Sequence, residues 1–130
     1  MVLADTSIWV DFSRRGVTGD AAAMARLLDS GEVSTCGPVA AEVLAGLEGE
    51  TAERMWMTLD SLPWISTPSD LWREVGAVAH RLRRAGKASP LTDLAIAVAA
   101  ARAGHALWSF DSDFERIAAV LPELDLYDAS

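Results

Sequence analysis

Cysteine is nearly absent from the sequence, since Cys36 is the only one among 130 residues. A lone cysteine cannot close an internal disulfide, and no companion ligands stand at zinc-site spacing around it. Long apolar runs are missing too: the longest, residues 94–101, is far shorter than the roughly 18 residues of a membrane span. The first residues also lack the basic start and apolar stretch of a signal peptide. We therefore expect a cytoplasmic protein, with no membrane partner, in which Cys36 is a small buried side chain.

Histidine and basic charge are scarce as well. The two histidines, His80 and His105, stand far apart in the chain, which argues against a nuclease with paired histidines as acid and base. The net charge of −8 argues against a protein that coats nucleic acid by charge alone. It is compatible with an enzyme whose acids bind cations. The sequence also contains no Gly-rich phosphate loop, which argues against a nucleotide triphosphatase.

Apolar residues are abundant, at 51% of the chain, and they alternate between short runs and helical spacing. Strands are predicted at residues 2–4, 33–35, 64–65, 106–108 and, at the end of the chain, 124–127. Helices are predicted at about 6–14, 20–30, 37–47, 51–62, 67–84, 90–102 and 111–120. Thr67 and Ser89 are expected to cap helices that begin with proline. The pattern predicts one domain over residues 1–130, a three-layer α/β/α sandwich around a short, mainly parallel sheet.

Acidic residues follow two of the predicted strands. Asp5 comes after strand 2–4, and Asp111 and Asp113 come after strand 106–108. In parallel sheets the ligand site lies at the carboxyl ends of the strands, so we expect these acids to meet there. Asp93 lies in the first turn of the predicted helix 90–102, which is apolar nearly all round, and a carboxylate there is costly without a partner. A divalent cation shared by these acids would be one such partner.

Each acid also has an ordinary structural explanation. Asp5 and Asp111 stand where they could simply cap the helices that follow them. The negative charge of Asp113 could stabilise the N-terminus of its helix by interacting with the helix dipole. Glu42 lies away from the apolar face of its predicted helix, and a solvated surface glutamate is the commoner case. Composition and spacing alone therefore leave both explanations open.

Four segments of the sequence resemble the motifs of the PIN-domain family. Residues 1–11 run from an apolar strand into Asp-Thr-Ser and an aromatic residue, and 38–46 are centred on a glutamate. Residues 91–97 place an aspartate before small helical residues, and 108–114 end in Asp-x-Asp-Phe. Ser109 departs from the pattern, because a threonine is more usual there. The four segments stand in the family's order, and together they resemble the toxins of VapBC toxin–antitoxin pairs.

The resemblance implies the PIN fold and an endoribonuclease that depends on Mg²⁺ or Mn²⁺. It implies a catalytic set made of the four motif acids, Asp5, Glu42, Asp93 and Asp111. Carried over by motif, the expected metal ligands are Asp5, Asp93 and Asp111, with Asp113 at the edge. The hydroxyls expected to support the acids are those of Thr6, Ser7 and Ser109.

Basic residues gather at the end of the predicted helix 67–84. They are Arg81, Arg83, Arg84 and Lys87, and Arg14 and Arg15 could extend the group. Cations are common at helix C-termini for reasons of stability alone. The alternative is a patch that steers RNA phosphates toward the acids. The resemblance further implies a homodimer and a VapB-like antitoxin, whose tail places a basic side chain in the acidic site.

Two other functions compete with a ribonuclease. A phosphohydrolase with Asp5 as its nucleophile would need a second acid two residues later, where Ser7 stands. A catalytically inactive PIN-like module would act by binding proteins, since a fold does not guarantee an activity. Such a module would typically have lost one of the acids, and Asp5, Asp93 and Asp111 are all present.

Overall fold

The computed structural model describes residues 1–15 and 19–129, in which strands alternate with helices. The strands are β1 (Val2–Ala4), β2 (Val33–Cys36), β3 (Trp64–Ile65) and β4 (Ala106–Trp108). The helices are α1 (Thr6–Arg15), α2 (Asp20–Asp29), α3 (Gly37–Ala45), α4 (Gly49–Asp60), α5 (Ser69–Arg84), α6 (Leu91–Ala103) and α7 (Asp113–Ala118).

The four strands form one sheet in the order β3-β2-β1-β4, and every neighbouring pair is parallel. Val2 in the central strand β1 is in register with Val33 on one side and Ala106 on the other. The residues of β1 and β2 are buried throughout, as expected for strands covered on both faces. The predicted parallel α/β architecture is therefore confirmed.

Helices cover the sheet in two groups, which gives the three-layer α/β/α sandwich. In one group α1 contacts α2 and α3, and α3 contacts α4. In the other group α5 packs along α6, which also contacts α7. Every residue of α6 from Leu94 to Ala100 is buried, as its all-round apolar sequence predicts. The helix thereby fixes Asp93, which lies in its first turn, against the core.

The predicted strand 124–127 is wrong. This segment touches β4 through a single isolated parallel bridge between Leu107 and Leu126. Two backbone hydrogen bonds of 2.8 Å join Leu107 to the residues on either side of Leu126. The apolar pattern reflects the burial of Leu124 in the core and the packing of Tyr127 on Trp108, with ring centroids 5.2 Å apart. Burial of individual side chains, rather than extended pairing, explains the pattern.

Helix starts also differ from the prediction. Thr67 and Ser89 do not cap α5 and α6; Pro68 and Pro90 occupy the cap positions, and the helices begin one residue later. Both prolines have extended backbones, with ψ of 170° and 144°, so they precede the first turn instead of forming it. Within the described ranges the buried hydroxyl of Ser89 has no hydrogen-bond partner.

Two smaller expectations concern membranes and Cys36. Within residues 1–15 and 19–129, no helix combines the length and the apolar character that a membrane span needs. Cys36 ends β2, is fully buried and is a free thiol. Its burial raises the pKa of the thiol to about 11, so the side chain is neutral at ordinary pH. The expectation of a small buried residue is confirmed.

Candidate metal centre

The carboxyl ends of β1 and β4 bring the acids of two distant segments together. Asp5 directly follows β1, and its backbone N–H donates to the Trp108 carbonyl, 3.0 Å away, at the end of β4. Ser109 directly follows β4, and Asp111 lies two residues further along the same loop. Because β1 and β4 are adjacent and parallel, their following residues meet at one edge of the sheet.

Asp5 is buried, with 6% of its surface exposed, and its two oxygens accept several hydrogen bonds. Oδ1 accepts from the backbone N–H of Ser7 at 2.9 Å, from the Ser7 hydroxyl at 2.6 Å and from the Ile8 N–H at 3.4 Å. Oδ2 accepts from the Ser109 hydroxyl at 2.6 Å. The backbone contacts show that Asp5 does cap α1, so capping and a place in the site are not exclusive.

Two serine hydroxyls connect Asp5 to the loop that carries Asp111. The Ser7 hydroxyl accepts the Phe110 N–H at 3.1 Å, and the Ser109 hydroxyl accepts the Asp111 N–H at 2.9 Å. Each hydroxyl thus donates to Asp5 and accepts from this loop. The serine at position 109 supplies the hydroxyl that a threonine would, and the loop is held at a fixed distance from Asp5.

Glu42 reaches the same edge from α3. Although the residue is exposed, its Oε1 accepts a 2.9 Å hydrogen bond from the Thr6 hydroxyl. Thr6 immediately follows Asp5, so the bond connects α3 to the segment at the carboxyl end of β1. Glu42 is therefore oriented toward the cluster and is more than a solvated surface residue.

Asp93, Asp111 and Asp113 form a compact group of acids. One carboxylate oxygen from each lies within 4.8 Å of those of the other two. Asp111 Oδ1 also accepts the Asp113 N–H at 2.9 Å, a turn that shortens α7 relative to the predicted helix. Asp5 lies outside this group of three, with its oxygens turned to the serine hydroxyls. The structure therefore separates a hydrogen-bonded acid from three closely spaced ones.

Asp93 shows the electrostatic consequence of this crowding. Its pKa is raised from 3.8 to about 6, first by burial and then by the negative charges of the surrounding acids. In order of size, those acids are Glu42, Asp111, Asp5 and Asp113. Carboxylates from three other segments of the chain thus lie close enough to act on Asp93.

The donor set suits a hard divalent cation. All the candidate ligands are carboxylate oxygens, which Mg²⁺ and Mn²⁺ prefer over nitrogen or sulfur. Ligands about 2.1 Å from a cation lie at most about 4.2 Å apart, so the group of three needs only small side-chain rotations to close on one. A cation there would also relieve the repulsion that raises the pKa of Asp93. The residues present therefore fit a metal.

Arg116 is a member of the site that the sequence analysis did not identify. It lies on α7, and its guanidinium forms a close ion pair with Asp113 one turn earlier. The spacing of three residues within a predicted helix was the available signal, since such pairs face one another. The pair places a positive charge at the edge of the acid cluster.

An apolar groove begins beside Glu42. It has a volume of about 560 Å³ and lies between α3, α5 and the start of α6. Two of its residues are large and exposed, Trp72 at 47% and Leu91 at 64%. No local sequence pattern predicts this groove, because its walls come from three separate segments.

The predicted basic group lies at the end of α5 and is exposed. Arg83 shares a small pocket with Leu91, two residues before Asp93, so the group adjoins the start of α6. Arg81 differs, because it donates a 2.7 Å hydrogen bond to the Val120 carbonyl. Arg14 shares a pocket with Glu42, whereas Arg15 pairs with Asp11.

The chain is similar to known proteins over nearly its whole length. The family model described as PIN domain matches residues 2–120, which include every candidate acid. The chain belongs to the PIN-domain family. Among curated relatives of this PIN domain are the VapC ribonuclease Mb1587 of Mycobacterium bovis and Ribonuclease VapC11 of Mycobacterium tuberculosis. Each is 32% identical over 127 residues, covering 92% of this chain and 93% of the relative.

Solved structures show the same fold. The PIN domain is similar to a chain of VapBC2 from Rickettsia felis bound to a DNA fragment from their promoter, with a TM-score of 0.76 and 22% identity. That match covers 98% of both chains. It is also similar to a chain of VapBC-1 from nontypeable Haemophilus influenzae, with a TM-score of 0.73 and 16% identity over 99% of this chain and 98% of the other.

Proposed function

We propose that this PIN domain is a metal-dependent endoribonuclease and the toxin of a type II toxin–antitoxin pair. The observation that carries the proposal is the group formed by Asp93, Asp111 and Asp113, whose oxygens lie within 4.8 Å of one another. The relatives named VapC ribonucleases, at 32% identity over nearly the whole chain, support RNA as the substrate. An RNA substrate also supports a cytoplasmic location.

The metal in this proposal is Mg²⁺ or Mn²⁺, held by Asp93, Asp111 and Asp113 with Asp5 behind them. When bound, such a cation activates a water molecule and stabilises the charge of the phosphate. Asp5 orients the loop that carries Asp111 through the Ser109 hydroxyl. This hydroxyl donates to Asp5 Oδ2 and accepts from the Asp111 N–H.

Glu42 is proposed to act on the attacking water. The Thr6 hydroxyl holds its Oε1, and the second oxygen would accept a proton from that water. The catalytic acids are thus Asp5, Glu42, Asp93 and Asp111. The supporting hydroxyls are those of Thr6, Ser7 and Ser109.

RNA is proposed to approach over the basic end of α5. Arg83, Arg84 and Lys87 are exposed there, next to the start of the helix that carries Asp93. Arg81 contributes mainly to packing, because it is bonded to the Val120 carbonyl. Phosphate contacts of this kind weaken with salt, so cleavage should fall as ionic strength rises.

The proposed protein partners are a VapB-like antitoxin and a second copy of this chain. Exposed apolar side chains support such contacts, notably Met57 at 70% and the indoles of Trp56 and Trp64 at 40% and 42%. The acidic cluster, in a chain of net charge −8, suits a basic segment of an antitoxin. The VapBC assemblies that share the fold support the same partner class.

The test is RNA cleavage by the purified, partner-free protein with Mg²⁺ or Mn²⁺. Parallel reactions contain EDTA, the Asp5→Ala variant or the Asp93→Ala variant. Asp29→Asn serves as a matched control, because it removes an exposed acid of α2 outside the cluster. Discrete products in the wild-type and control reactions, lost in the other three, are expected. Light scattering of the same sample gives the number of copies per particle.

Equal cleavage by the wild type and the Asp93→Ala variant would reveal a contaminating nuclease. Absence of cleavage from a folded protein, at every metal concentration and with every RNA tried, would favour the inactive protein-binding module instead. The distinction is sharp, because an inactive module should also show no thermal stabilisation by Mn²⁺.

A further inference from the structure

Arg116 is a cation that the fold holds against the acid cluster. Its guanidinium pairs with Asp113, one helical turn earlier on α7. Arg102 offers a useful comparison, because its side chain is equally exposed, at 32%, yet it pairs with Asp70 and Glu74 outside the cluster. The position of Arg116, rather than its exposure, therefore distinguishes it.

Asp113 takes part in two arrangements. Its carboxylate is one of the three whose oxygens lie within 4.8 Å of one another, and it also accepts the Arg116 guanidinium. A divalent cation bound to the same carboxylate would bring two positive charges close together, which repel. Cation and guanidinium are therefore competitors for Asp113.

The ion pair between Arg116 and Asp113 is exposed and can be displaced. The side chains of Arg116 and Asp113 are 32% and 43% exposed, and ion pairs in contact with water are weak. The Arg116 Nε is buried and, within the described parts of the chain, has no hydrogen-bond partner. The guanidinium is thus not locked into its position by a complete set of hydrogen bonds.

We propose that Arg116 is a resident counter-ion of the cluster, which Mg²⁺ or Mn²⁺ displaces from Asp113. Arg116 then sets the cation concentration at which the site fills, because every binding event must release this ion pair. The inference rests on the proposed metal-dependent nuclease. It assigns Arg116 a positioning role, exerted through Asp113.

The test measures Mn²⁺ binding by isothermal titration calorimetry for the wild type and three variants. Arg116→Gln removes the charge, Arg116→Lys keeps it, and Arg102→Gln is the matched control. We expect Arg116→Gln to bind Mn²⁺ about three- to tenfold more tightly, and the other two to stay within about twofold of the wild type. The Mn²⁺ concentration for half-maximal RNA cleavage should fall in parallel for Arg116→Gln.

Circular dichroism checks that each variant is folded, and Arg116→Met, which removes the same charge, replaces Arg116→Gln if that variant is unstable. Unchanged or weaker Mn²⁺ binding by Arg116→Gln would overturn the inference. So would an equal gain of affinity in Arg116→Lys, because the charge would then not be the cause. If the wild type binds Mn²⁺ and cleaves RNA in these cases, the proposed function stands. A wild type that binds no Mn²⁺ would overturn both.

Discussion

The two ends of the central strands carry buried polar groups of opposite character. At the carboxyl end, Asp5 accepts hydrogen bonds from two serine hydroxyls and stands among four further acids. At the amino end, the fully buried Ser34 hydroxyl lies 2.8 Å from His105 Nδ1. Its oxygen is also 3.4 Å from the Val2 carbonyl. One end gathers like charges, whereas the other pairs neutral groups.

The pKa values of the titratable groups at the two ends, His105 and Asp93, shift in opposite senses. Burial, followed by the charge of the N-terminal amine, lowers the pKa of His105 and keeps its ring neutral and bonded to Ser34. Burial, followed by the negative charges of the neighbouring acids, raises the pKa of Asp93 to about 6, so at neutral pH ionised Asp93 opposes folding. An arrangement that costs stability is typical of functional sites. The amino end should therefore affect mainly stability, and the carboxyl end mainly activity.

Replacement of Asp93 by asparagine should give the largest effect on activity and should separate activity from stability most clearly. We expect RNA cleavage to fall by about 100-fold or more, because a metal ligand is lost. The melting temperature of the metal-free protein should be unchanged or higher, because the amide removes a repelled charge. Cleavage assays and thermal unfolding in EDTA measure the two quantities. A variant that cleaves within threefold of the wild type would remove Asp93 from the proposed site.

Ser109 tests whether the hydroxyls behind the acids matter. Ser109→Ala leaves Asp5 Oδ2 and the Asp111 N–H without their shared partner, so we expect cleavage to fall by about tenfold. Ser109→Thr keeps the hydroxyl and serves as the matched control, with cleavage within about twofold of the wild type. Equal rates for the two variants would show that the hydroxyl does not orient the acids.

The position of the candidate site was predictable from the sequence, because parallel strands place the residues that follow them at one edge. Asp5 and Asp111 stood in the segments that follow predicted strands, and both are found at that edge. Asp93 was identified from the cost of a carboxylate in a buried helix, and that helix is buried. Such inferences succeed because strand direction and helix burial are encoded locally.

Other features depend on contacts that no local pattern encodes. The groove beside Glu42 joins three separate segments, and the serine pair links positions 102 residues apart in the chain. Glu42 looked like a surface residue because its partner, the Thr6 hydroxyl, belongs to another helix. The strand predicted at 124–127 was wrong because its apolar residues pack individually. Tertiary packing decided each of these cases.

Ser34 tests the amino end of the comparison. Ser34→Ala leaves His105 Nδ1 without its partner in the interior, so we expect a loss of about 1–2 kcal/mol of unfolding free energy. Cleavage per folded molecule should be unchanged. Urea denaturation measures the first quantity, with Ser66→Ala, at an exposed loop position, as the control. A tenfold loss of cleavage in a folded Ser34→Ala protein would contradict the division between the two ends.

The smallest expected effect concerns stability against pH. The stability contributed by Asp93 and that contributed by His105 should depend on pH in opposite directions. Asp93 binds its proton more tightly in the folded chain, where its pKa is about 6, than in the unfolded chain, near 3.8. Its contribution to stability is therefore present below pH 4 and lost as pH rises through 6. His105 has a lowered pKa, so its contribution is present above pH 6.5 and lost as pH falls.

Melting temperatures of the metal-free wild type, Asp93→Asn and His105→Gln between pH 4 and pH 8 separate these contributions. The stability of Asp93→Asn relative to the wild type should increase as pH rises from 4 to 7, by about 1 kcal/mol because solvent screens this half-exposed carboxyl. The relative stability of His105→Gln should instead increase as pH falls below 6.5, because the variant has no ring to protonate. Slopes of the same sign would show that both ends respond to the overall charge of the chain. Opposite slopes would mean that each end carries its own local electrostatic cost, which for Asp93 a bound cation should remove.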